Sequence, residues 1–142
     1  MDPVANVTTE LELRLVVRGG PSLPLTAGLD YRADDPWAVR VSFRTGGPGD
    51  RVVEWLFARQ LLTDGIAAAA GIGDVRVWPS EDGPDHTVLL QMASPSGFAR
   101  FEIDRDALVE FLQRTCLAVP PGCEDRAVDL EHELTRLLDD RA

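Results

Sequence analysis

The chain contains no lysine: all fourteen of its basic residues are arginine. That removes Schiff-base chemistry and the phosphate-cradling lysine of a P-loop. It fits the coding bias of a GC-rich genome better than any chemical need. Histidine and cysteine are nearly as scarce, at two each. His86 and His132 fall in a loop and on the polar face of a helix, with no neighbouring ligand at the spacing a zinc site requires. Both read as solvated surface histidines. Cys116 and Cys123 flank a Pro-Pro-Gly turn and read as reduced cytosolic thiols, although a disulfide closing that short loop is conceivable. No apolar run approaches a membrane span. The start, MDPVANVTTE, has neither the basic nor the apolar region of a secretory signal, so a cytoplasmic location is expected.

At 142 residues, 44% hydrophobic and 27% charged, the composition is that of one ordinary globular domain spanning 1–142, large enough to bury a core without staples. The net charge is −10. It is unevenly spread, with seven arginines against nine acids in residues 1–71 and seven against fifteen in 72–142. Such a chain is repelled by phosphate backbones unless its arginines gather on one face, so nucleic acid is not the expected partner.

Hydrophobic alternation marks the strands. Val7, Thr9, Leu11, Leu13, Leu15 and Val17 share one face, with Thr8, Glu10, Glu12 and Arg14 opposite. Residues 22–31 read as an irregular or weakly extended connector. Trp37, Val39, Val41 and Phe43 then oppose Arg40, Ser42 and Arg44, and GGPGD at 46–50 makes a loose hairpin into 51–55. VLLQM at 88–92 is nearly continuous, as in a strand covered on both faces. Residues 98–103 follow it after a turn.

Residues 53–80, VEWLFARQLLTDGIAAAAGIGDVRVWPS, read as strand, helix, turn and strand, with Gly65 the expected helix stop. Gly71-x-Gly73 precedes a strand, the reverse of a dinucleotide fingerprint, and reads as a tight hairpin entry. Two helices close the chain. Asp104 or Asp106 caps the first, with Leu108, Phe111 and Leu112 as its inner stripe. Asp125 or Asp129 opens the second, and Leu130, Leu134, Leu137 and Leu138 form a stripe expected to pack into the core, with Arg136 or Arg141 favouring its C-terminal dipole. The loop at 81–85 is acidic. The expected fold is α+β, with mostly antiparallel twisted sheets of about seven strands and about three packed helices.

No nucleophile, base and oxyanion donors converge, so no catalytic, cofactor-binding or metal-binding residue is assigned and no enzyme is expected. Glu102, Asp104 and Asp106 recur at spacing two, but they straddle a strand-to-helix junction where acidic capping accounts for them. Trp37, Trp55 and Trp78 are candidate protein-interface anchors, with core packing as the plainer reading.

The blocks LELRLVV (11–17), VEWLFARQLL (53–62), GDVRVWPS (73–80), FLQRT (111–115) and AVPPG (118–122) together resemble the SsgA-like sporulation and cell-division regulators of actinobacteria, and look closest to their SsgB type. The resemblance spans essentially residues 7–140. It implies a Whirly-like fold assembled as a homo-oligomer, a trimer, with no catalytic residues and no cofactor. It implies a role in sporulation-specific septation: members help place the tubulin-like protein FtsZ at future division sites, with an SsgA-type paralogue acting upstream, so recruitment from the cytoplasm to the septum is expected. Other paralogues act later, in chromosome segregation or spore-wall separation. A single-stranded nucleic-acid-binding module built on the Whirly-like fold, using Arg40 and Arg44, is the alternative of a different class. A small hydrolase is a third.

Overall fold

The computed structural model describes residues 6–17, 19–44, 49, 51–80, 86–95 and 97–139. The loop positions 46–48 and 50, the acidic loop 81–85 and Arg141 lie outside them, and so does the side chain of Leu130. Seven strands and three helices follow in the order β1 (Asn6–Leu15), β2 (Leu23–Arg32), β3 (Asp35–Arg44), β4 (Val52–Ala58), α1 (Arg59–Ala67), β5 (Val75–Pro79), β6 (Thr87–Ser94), β7 (Gly97–Asp104), α2 (Arg105–Ala118) and α3 (Glu124–Asp139). The strands make one seven-stranded sheet, ordered β4-β3-β2-β1-β7-β6-β5, in which every named pairing is antiparallel. The fold is α+β, as the sequence leads one to expect.

Alternation sets the two faces. Val7, Leu11 and Leu13 of β1, Ala27, Leu29 and Tyr31 of β2, and Val39, Val41 and Phe43 of β3 are buried on the inner face. Phe43 and Phe101 stack with ring centroids 4.8 Å apart, although β2 and β1 lie between their strands. Such contact across two intervening strands requires the sheet to curl toward its inner face. Helix α2 fills the concavity with Leu108, Phe111, Leu112 and Thr115. Helix α1 connects the two edge strands and packs against both. Among the described residues no helix is long and apolar enough to cross a membrane.

Several expectations are corrected. Residues 22–31 are no connector: β2 is a full strand paired on both sides, from Leu23 opposite Leu15 to Arg32 opposite Asn6 on β1, and along β3. Pro24, Ala27 and Gly28 weaken its local strand preference, and two flanking ladders override that weakness. Gly65 does not stop α1, which runs on to Ala67. A Cβ there would sit 2.3 Å from Val77 Cγ1, so this glycine allows α1 to approach β5 closely. The chain turns at Gly71 and Gly73, with φ of 97° and 84°.

Trp37 does not share the buried face of β3. It is 50% exposed, because the register between β2 and β3 shifts after Asp30 and Pro36 is the residue turned inward. Strand β6 is fully covered on one face only: Val88, Leu90 and Met92 are buried, Leu89 and Gln91 half-buried. Asp104, not Asp106, caps α2, accepting from the Ala107 amide at 3.1 Å. Helix α3 opens at Glu124, ahead of both expected aspartates. Its leucine stripe is not core: Leu134 is half-buried, while Leu137 and Leu138 are 60% and 63% exposed.

Candidate interaction surface

The densest polar contacts lie where β4 passes into α1. Arg59 opens the helix, the end at which a cation opposes the helix dipole. Its guanidinium is instead turned inward and almost wholly buried, at 4% exposure. Nη1 donates to the carbonyls of Thr115 (3.1 Å) and Val119 (2.7 Å), at the C-terminal end of α2. Nη2 pairs with Glu124 Oε2 at 3.0 Å, at the start of α3. The guanidinium also lies 5.1 Å from the centroid of the Tyr31 ring, whose hydroxyl donates to the Pro36 carbonyl at 2.9 Å. One side chain therefore ties together α1, both ends of the α2–α3 turn and β2.

Burial pushes the Tyr31 phenol up to about 12, against the partly offsetting pull of Arg59. The Glu124 carboxyl is held below its usual range by its own backbone N–H first, then by the Arg59 guanidinium and the Gly122 amide, against the effect of burial. Among the described residues no buried side-chain nitrogen or oxygen lacks a partner. A saturated junction of this kind holds helices in place and leaves no atom free for a substrate. In the sequence Arg59 falls simply within the helical part of 53–80, and its misfit with the helix dipole is the signal available there.

The three tryptophans do not converge. Trp55 faces inward from edge strand β4, half-buried against the core, with its ring stacked on Phe57 at 6.2 Å. Trp37 is half-exposed at the start of β3. Trp78 faces outward from β5, the opposite edge strand, half-buried beneath Arg100, whose guanidinium carbon lies 5.4 Å from the ring centroid. Arg40 and Arg44 do share the outer face of β3, but Arg40 lies 3.8 Å from Glu54.

The outer face carries ordered cross-strand rows. Arg76, Gln91 and Arg100 lie abreast on β5, β6 and β7, and Trp78, Leu89, Glu102 and Arg14 form the next row. Glu12, Arg14, His86, Thr87, Glu102 and Asp104 line part of an open cleft of about 470 Å³. His86 is exposed and lies 3.7 Å from the exposed Asp106; His132 is exposed as well. Among the described residues no three His, Cys, Asp or Glu side chains are grouped to hold a metal. On the helical side an apolar groove of about 620 Å³ runs between α1 and α2, past Ile66, Val109, Leu112 and Leu117. Cys116 and Cys123 are free and half-buried.

Comparison with known proteins assigns the family. Residues 25–124 match the family described as "Streptomyces sporulation and cell division protein, SsgA". The chain is 49% identical over 133 residues to sporulation-specific cell division protein SsgB of Frankia casuarinae, covering 94% of this chain and 92% of the relative. It is 48% identical over 132 residues to SsgB of Streptomyces coelicolor, covering 93% and 95%. The crystal structure of an SsgA-like sporulation-specific cell division protein from Thermobifida fusca superposes with a TM-score of 0.84 at 43% identity, over 96% of this chain and 98% of that one. The likeness covers nearly the whole chain, and the chain belongs to the SsgA family of sporulation and cell division proteins.

Proposed function

We propose that this protein is a non-enzymatic regulator of sporulation-specific cell division. It acts as an oligomeric adaptor that helps position or recruit the septation machinery at the septum, with FtsZ and an SsgA-type paralogue as partners. The observation that carries this reading is a fold shared along nearly its whole length with proteins named for sporulation-specific division. The surface supports it. Trp37, Leu56, Leu117, Leu137 and Leu138 are each at least half exposed, and large uncovered apolar side chains of this kind serve as interface anchors. Of the three tryptophans, the half-exposed Trp37 supports this reading best, while Trp78 is partly covered by Arg100 and Trp55 packs against the core. The charge of −10 keeps the free oligomer soluble until its partner is met.

The test is a deletion strain carrying fluorescent FtsZ, together with co-sedimentation of the purified protein with FtsZ polymers, alone and with the SsgA-type paralogue. Loss of FtsZ ladders and co-pelleting are expected. Normal ladders with no co-pelleting under either condition would sink the adaptor reading.

A further inference from the structure

Among the described residues Arg76 and Arg100, on the outer face of β5–β7, have no carboxylate partner, and Arg14 of β1 on the same face likewise reaches only the Ser22 hydroxyl, at 3.4 Å. Arg76 is exposed on β5 and has no ion-pair or hydrogen-bond partner for its side chain among the described residues. Arg100 on β7 is held only by a neutral amide, donating from Nε and Nη2 to Gln91 Oε1 at 3.3 Å and 3.0 Å, and by the Trp78 ring. Gln91 sits between them in the same cross-strand row, so the two cations stand roughly 10 Å apart, two strand spacings. Apolar side chains lie in the rows on either side of this one. Phe98 is 63% exposed next to Arg100 on the same face of β7, and Trp78 and Leu89 are half-buried in the adjoining row.

We propose that this outer face of β5–β7 is a docking site for a short acidic peptide segment carrying one apolar anchor. Arg76 and Arg100 would take two of its carboxylates, and the exposed Phe98 would take the anchor. The proposal rests on the adaptor reading and names the chemistry of the partner. Guanidinium pairs with carboxylate through charge-assisted hydrogen bonds, and Arg100 is already oriented by Gln91 and Trp78, so little freedom is lost on binding.

The charge pattern selects a short anionic segment over a nucleic-acid strand. Asp74 bounds the patch on one side and Glu102 on the other, with Glu12 and Asp104 in the row beyond. Beyond the two arginines the nearest cation on this face, Arg14, stands among Glu12, Glu102 and Asp104, whereas single-strand binders need a continuous cationic groove several nucleotides long. A peptide with two carboxylates ends where the favourable field ends.

The test is fluorescence anisotropy on the full chain with three labelled probes: a short Asp/Glu-rich peptide containing Leu-Phe, the same peptide with Lys for each acid, and an oligo-dT strand. Binding of the acidic peptide alone is expected. Combined Arg76→Glu and Arg100→Glu should weaken it at least about tenfold, and Phe98→Ala a few-fold. Arg114→Glu makes the charge change of the single Arg76→Glu variant at an exposed position of α2, so it should leave binding within about twofold. Arg76→Glu alone, at an exposed site, keeps the test valid if the double variant fails to fold. Equal loss in R114E and R76E, or preference for the lysine peptide or oligo-dT, would overturn the proposal. If the R76E/R100E protein still co-sediments with FtsZ as well as the parent, the adaptor reading stands and this face is not its docking site.

Discussion

Replacing Arg59 with methionine tests whether the junction under the sheet holds the helices. Methionine keeps most of the apolar stem, so no large cavity opens. The Val119 carbonyl loses the donor it has at 2.7 Å, which costs about 1–3 kcal/mol for a buried acceptor. The Thr115 carbonyl loses less, because the Val119 amide still donates to it at 2.8 Å. The contact with the buried Tyr31 ring contributes roughly another 1–2 kcal/mol. The Glu124 pair adds only about 1 kcal/mol, since that carboxylate keeps backbone donors and some solvent. Relief of the desolvated guanidinium returns part of this sum. The net expectation is a loss of about 3–4 kcal/mol, a large share of the roughly 5–15 kcal/mol that stabilises a domain. In urea unfolding this appears as a lower midpoint at unchanged slope, and in thermal melts as a drop of roughly 10 °C. Arg59→Lys, which retains charge but cannot fork to three acceptors, should fall about halfway. An R59M protein within about 0.5 kcal/mol of the parent would refute the argument, because unpaired buried acceptors cannot be that cheap.

Two further outcomes follow from the same geometry. Tyr31 is the only tyrosine, so tyrosinate absorbance reads it directly; its titration should centre near 12, and a midpoint near 10 in the folded protein would contradict its burial. A raised folded pKa means the contribution is full below 10 and is lost as pH climbs toward 12, by roughly 3 kcal/mol, and Tyr31→Phe should abolish that alkaline slope in urea midpoints. Gly65→Ala should destabilise by about 1–3 kcal/mol in the same assay, because its methyl would press on Val77 at the contact between α1 and β5.

Much of the fold is written locally. The alternation of β1, the alternation of β3 from Val39 onward and the Asp104 cap depend on neighbours in sequence and stand where the pattern places them, with Val17 and Trp37 as the exceptions. What escaped depends on distant partners. Strand β2 is made by the ladders on both sides of it, more than by LPLTAGLDYR itself. Gly65 resembles a helix stop until Val77 is brought against it. The leucines of α3 declare an apolar stripe, but periodicity cannot say whether the same chain covers it, and at Leu137 and Leu138 it does not. The candidate docking face was the least legible part. Trp78 could be picked out as an anchor, yet its grouping with Arg76, Gln91 and Arg100 exists only through cross-strand register.

The strand order also has a kinetic side. Strands β1 to β4 form one run of successive neighbours and β5 to β7 another, each joined by local connections. Among the described residues the two runs join in the sheet where Leu13, Arg14 and Leu15 pair with Ile103, Glu102 and Phe101 and where the Val16 amide donates to the Arg100 carbonyl at 2.8 Å. Those residues lie roughly 90 positions apart in the chain, so the seam can close only after a long loop has been drawn together, with its entropy lost before any contact compensates. The two meanders should therefore gain hydrogen-exchange protection early in refolding, and the amides of the seam last. During synthesis, β1 must wait with one edge unpaired until β7 has emerged.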